Sequence, residues 1–188
     1  PMLGLGGSIA TPVGGIRAEV LVVSSFDELE RRADEAQGKI VLFDVPFTNY
    51  GATVQYRSQG AIAAARAGAA ASIIRSVTPY SQQTPHTGNM EYADGVRRIP
   101  HAAITVEDAE MLHRMQDRGE RIELLLKMNA QMLPDAPPRN VMAEIIGSEF
   151  PNEVILLGGH IDSWDVGQGA MDDAGGVVAA WEAVRLMK

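Results

Sequence analysis

The stretch GGHIDSWDVGQGAMDDAGG, residues 158–176, gathers one histidine, four aspartates and six glycines. Imidazole nitrogen and carboxylate oxygen are ordinary zinc donors, and a carboxylate has two oxygens with which to bridge a pair of metal ions. His160 and Asp172 are therefore candidate metal ligands. Asp162, two residues from His160, is a candidate acceptor for the other imidazole N–H, a contact that fixes the tautomer and raises ligand basicity. One histidine and one aspartate do not complete four-coordinate zinc, and no further cluster occurs upstream, so the remaining donors are expected after Lys188. A plainer reading stands beside this one: Asp172 or Asp173 caps a helix, and His160 is a hydrogen-bonded loop residue.

Such a loop needs a strand before it and a helix after it. NEVILLGG has the continuous apolar character of a buried strand, which places His160 just past a carboxyl end, where ligand sites of open α/β sheets gather. RNVMAEIIGSE is a second strand candidate, joined to it by a turn around Phe150 and Pro151. A helix from about Asp173 follows, with Val177, Trp181 and Val184 at helical intervals; the spacing of Trp181 predicts a core position, and core packing is expected of Trp164 too.

Further upstream the rhythm is β-α-β-α-β. IRAEVLVV reads as a strand, and Ser25 with Glu28 has capping-box spacing for a helix ending at Gly38. KIVLFDV is a short buried strand, residues 52–67 an alanine-rich helix, and ASIIRS the next strand. Residues 77–99 form a long polar connection, expected to be functional or loosely ordered. PHAAITV, a helix capped by Thr105 and the strand RIELLLKM follow. Three prolines in LPDAPPR mark a domain boundary. His86 lies in the long connection, while His101 and His113 read as structural or solvated residues.

The chain has 188 residues, 46% of them hydrophobic, enough for a sizeable core. Its net charge of -8 argues against a nucleic-acid partner. No apolar run approaches the roughly 20 residues of a membrane span. The absence of cysteine excludes disulfides and thiolate chemistry. The chain reads as a segment of a longer protein.

HIDSW followed by GAMDDAGG resembles the co-catalytic dizinc exopeptidases, which include aminopeptidases and glutamate carboxypeptidases. TPVGGIRAEVLVVSSFDELERRA, TVQYRSQGAIAAARAGAAASIIRS, SQQTPHTGNMEYADGV and ITVEDAEM extend that resemblance over nearly the whole chain. It implies an α/β fold in three parts: residues 1–12 leading in from the catalytic domain, residues 13–137 a β-rich protease-associated domain with flanking helices, and residues 138–188 the opening strands and helix of the peptidase domain. It also implies that His160 is a terminal zinc ligand, that Asp172 bridges two zinc ions and precedes a cis peptide bond to Asp173, and that Asp162 supports the histidine as part of the catalytic apparatus. The activity so implied is zinc-dependent hydrolysis of dipeptides or short peptides, with this segment inactive alone. Relatives further suggest a homodimer and an extracellular or periplasmic setting, with the loop around His86 near an active-site entrance. The competing expectation is a non-catalytic interaction module built on the protease-associated domain.

Overall fold

The computed structural model describes residues 1–80, 83–164 and 166–187. They divide into two compact units, Pro1–Pro134 and Asp135–Lys188. The fold is mixed α/β, the class expected from the sequence.

Unit one contains β1 (Met2–Gly4), β2 (Ile16–Val23), α1 (Phe26–Arg31), α2 (Ala33–Ala36), β3 (Ile40–Phe43) and α3 (Tyr50–Thr53). It continues with α4 (Gln55–Arg66), β4 (Ala71–Arg75), β5 (His101–Ile104), α5 (Val106–Asp117) and β6 (Glu123–Leu126). The strands form one sheet in the order β1-β5-β4-β3-β2-β6. β2 to β5 run parallel, and β1 and β6 pair antiparallel at the two edges. A parallel sheet must be covered on both faces, which is why β3 and β5 are buried along their whole length. Val41, Phe43 and Ile74 pack on one side with Ala61 and Ala64 of α4. Ile40, Leu42 and Ile73 pack on the other with Ala109 and Leu112 of α5.

The expected first helix is split at Arg32, whose backbone (φ -109°, ψ 21°) leaves the helical region. Its guanidinium is held by Glu28, Glu35 and the Val22 carbonyl. Ser25 caps α1 by accepting from Glu28 N–H at 3.0 Å, while the Glu28 carboxylate reaches back to Ser24 N–H at 2.7 Å. Thr105 caps α5 in the same way. Gly68, at φ +79°, ends α4 in a conformation that side chains rarely adopt.

The long connection is tied down at several points. His86 N–H donates to Ser76 Oγ, Met90 N–H to the Gly6 carbonyl, and Tyr92 Oη to the Ile99 carbonyl. Thr11 and Met128 clasp the two ends of the unit through backbone and hydroxyl hydrogen bonds of 3.0–3.2 Å. At the carboxyl ends of β3 and β4, buried Asp44 accepts from Arg75 at 3.1 Å and pairs with His113 Nδ1 at 2.7 Å. Arg75 also meets Glu110 at 3.1 Å, so α5 is fastened to the sheet by charge as well as by packing.

Unit two holds α6 (Ala174–Met187) and a turn in which Glu153 N–H donates to the Phe150 carbonyl. The turn falls where the sequence placed it. The two strand candidates flanking it join no ladder among the described residues, and Val154, Ile155 and Leu156 are 84–88% exposed. A buried strand needs hydrogen-bonded neighbours and cover on both faces, and the described residues of 135–188 offer neither. Trp181 is accordingly exposed rather than in a core, as is Trp164, because α6 has no sheet within its unit to cover.

His101 is fully buried on β5, with Nδ1 2.7 Å from Ser72 Oγ and Nε2 without a hydrogen-bond partner among the described residues. Burial lowers its pKa to about 4, so the ring is neutral in the folded unit. The unfolded chain takes up that proton at higher pH, so this stability is complete above pH 6.5 and is lost as pH falls through 4, amounting to about 3 kcal/mol. Denaturant titrations by far-UV circular dichroism at pH 7 and pH 4.5 should show the loss in the native chain and a flatter dependence in His101→Gln. Parallel losses in both proteins would exclude His101 as the cause.

Candidate metal loop

α6 begins where two consecutive aspartates divide the work. Asp173 Oδ1 accepts from Gly176 N–H at 3.1 Å, and the Asp173 carbonyl accepts from Val177 N–H at 3.1 Å, so Asp173 is the helix cap. Its other oxygen accepts from His160 N–H at 3.3 Å, tying the loop to the helix. Asp172 is left facing the imidazole, and the Asp172–Asp173 peptide bond is cis.

His160 is held at both ring nitrogens. Nε2 lies 2.8 Å from Asp172 Oδ1. Nδ1 lies 2.9 Å from the backbone carbonyl oxygen of Asp162 and 3.2 Å from its carboxylate. A carbonyl oxygen only accepts, so Nδ1 carries the proton that this contact requires and Nε2 is the nitrogen turned toward Asp172. The Asp162 carbonyl first, and the Asp172 carboxylate next, raise the imidazole pKa above its ordinary value.

His160 and Asp172, twelve residues apart in sequence, are thus brought together, and Asp162 joins them chiefly through its main chain. Their separation is slightly shorter than the about 3.3 Å between two vertices of a tetrahedral zinc site. The donor chemistry fits a zinc ion as two of its ligands. Among the described residues no group of three or more His, Asp or Glu side chains converges on a metal position. Asp165, one of the four aspartates of the stretch, lies outside the described residues. Asp173 caps the helix, and Asp172 makes the imidazole contact instead.

Two glycines permit this packing. A Cβ at Gly159 would lie 2.6 Å from Val177 N and 2.8 Å from an Asp173 oxygen, and one at Gly176 would lie 2.5 Å from the other Asp173 oxygen. The Asp173 carboxylate is wedged against both backbones.

The PA domain family matches residues 14–112, and peptidase family M28 matches residues 140–188. The chain belongs to peptidase family M28, as a PA domain followed by the start of the M28 peptidase domain. In particular it is a homologue of carboxypeptidase Q, 62% identical to the Pongo abelii protein and 60% identical to the Homo sapiens protein. Each match takes in the whole of this chain and 40% of the relative, so the chain spans about two-fifths of the curated proteins it matches. The crystal structure of a peptidase M28 precursor from Shewanella amazonensis superposes with a TM-score of 0.86 at 37% identity, over 92% of this chain and 40% of that one.

Gly175 and Gly176 give a local test of the loop. A Cβ at Gly175 lies 3.8 Å from its nearest neighbour, so Gly175→Ala should strengthen α6 by about 1 kcal/mol through helix propensity. Gly176→Ala should bring no such gain, since it displaces the capping carboxylate. Equal helicity gains by circular dichroism would contradict the wedge.

Proposed function

We propose that the chain is the PA domain and metal loop of a dizinc exopeptidase that hydrolyses dipeptides or short peptides, and that it is inactive alone. The apposition of His160 Nε2 and Asp172 Oδ1, with Nδ1 fixed by Asp162, is the observation that carries this reading. His160 would be a terminal ligand and Asp172 the ligand shared by two ions. When bound, the zinc pair supplies Lewis acidity to the scissile carbonyl and acidifies the attacking water. The Asp162 carbonyl oxygen accepts from Nδ1–H, so that Nε2, on losing its own proton, would be the nitrogen offered to zinc. Asp173 fixes the loop to α6 through His160 N–H and leaves Asp172 free of capping duty. A peptide substrate belongs to the same proposal and is supported by the likeness to peptidase family M28; export to an extracellular or periplasmic compartment and a homodimeric assembly complete the proposal. No helix among the described residues is long and apolar enough to cross a membrane.

The test uses the full-length protein. His160→Ala and Asp172→Ala should each lower bound zinc and reduce peptidase activity by on the order of 100-fold or more, whereas Asp162→Asn, which keeps its carbonyl, should cost less. Zinc content unchanged by both ligand substitutions would rule out the assignment. Full activity without metal would favour a different chemistry altogether.

A further inference from the structure

Two arginines of unit one, Arg57 buried and Arg75 nearly so, stand in opposite circumstances. Arg75 meets the carboxylates of Asp44 and Glu110. Arg57, on α4, retains 9% of its surface, yet among the described residues no carboxylate lies within 4.0 Å of its guanidinium. Its Nη2 donates to Tyr50 Oη at 2.6 Å and its Nη1 to the Thr87 carbonyl at 3.1 Å, both neutral acceptors. Nε, buried, has no acceptor among the described residues. A guanidinium removed from water is ordinarily matched by an anion, and neutral partners recover only part of its lost hydration. The Tyr50 ring, 5.6 Å from the guanidinium carbon, adds a cation–π contact of about 1 kcal/mol, too little to replace a carboxylate.

The surroundings are shaped to this cation. Gly88, at φ +151°, sets its backbone so close that a Cβ there would collide with the Arg57 guanidinium carbon. His86, in the same strap of chain, has its pKa lowered by burial first and by the Arg57 charge second, so the charge is felt rather than neutralised. Tyr50 is 56% exposed. Because its oxygen accepts from Arg57, the hydroxyl proton is free to be donated to another group.

We propose that Arg57 and Tyr50 form a carboxylate-binding site on unit one, whose ligand is the terminal carboxylate of a short peptide. The guanidinium supplies N–H donors in a planar fork suited to carboxylate oxygens, and the Tyr50 hydroxyl supplies a neighbouring donor for the same group. Naming a peptide as the source of the carboxylate rests on the peptidase reading; the anion chemistry does not.

The test is a metal-free titration of this chain, following the Arg57 Nε–H resonance by NMR at constant ionic strength. The probes are acetate, inorganic phosphate, an N-acetylated dipeptide and the same dipeptide as its C-terminal amide. The dipeptide acid should bind saturably and at least tenfold tighter than acetate, and the amide should not bind. Arg57→Gln should abolish binding, and Tyr50→Phe, at an exposed position, should weaken it about fivefold. If Arg57→Gln does not fold, Tyr50→Phe and the amide comparison decide the matter. Equal binding of acid and amide, no saturable response, or binding untouched by Tyr50→Phe would overturn the site. Acetate as tight as the dipeptide would overturn the peptide as ligand, and phosphate as tight as the dipeptide would overturn the carboxylate class. Because the readout needs neither metal nor turnover, loss of this site would leave the zinc reading standing, and an inactive parent would leave this site standing.

Discussion

A strand buried on both faces has to find hydrogen-bonded neighbours along its edges and apolar cover above and below. Unit one meets that requirement within its own residues. β2 to β5 supply one another's backbone partners, α4 covers one face, and α5 covers the other. The rest of the unit is fastened around it by helix caps at Ser25 and Thr105, the salt links at the strand ends, and the hydrogen bonds that tie residues 83–99 down. Among the described residues, the apolar runs of unit two join no ladder and stand exposed.

The loop from His160 to Asp173 solves a different problem, which is to aim side chains by local contacts. Adjacent aspartates divide capping from imidazole contact, and glycines at 159 and 176 let a carboxylate sit against two backbones. Local hydrogen bonds between residues no more than thirteen positions apart hold the whole arrangement. This is why His160 and Asp172 can be brought together in a unit whose strand candidates join no ladder among the described residues.

Buried charge is treated in two ways. Asp44, Arg75, Glu110 and His113 satisfy one another and lock α5 to the sheet. Arg57 is desolvated to a similar degree and given only a phenol oxygen and a peptide carbonyl. The contrast within one small unit is what makes an external anion the natural complement of Arg57.

The amino-acid sequence by itself determined the α/β class, strands β2 to β6 of unit one, the caps at Ser25 and Thr105, the turn at Phe150 and the gathering of His160 with the aspartates, because short-range spacing encodes all of these, whereas the pairing of β1 with β5 joins residues about a hundred positions apart. The break at Arg32 was not legible, since it depends on a guanidinium meeting two glutamates and a strand carbonyl. Nor was the exposure of Trp181 legible, because helical periodicity records which face is apolar but not what lies opposite. The choice of the Asp162 carbonyl over its carboxylate depended on loop geometry. Only the tertiary structure separated Arg57 from Arg75, for both are basic residues in apolar surroundings, and whether a carboxylate stands near is decided by chain segments far away in sequence.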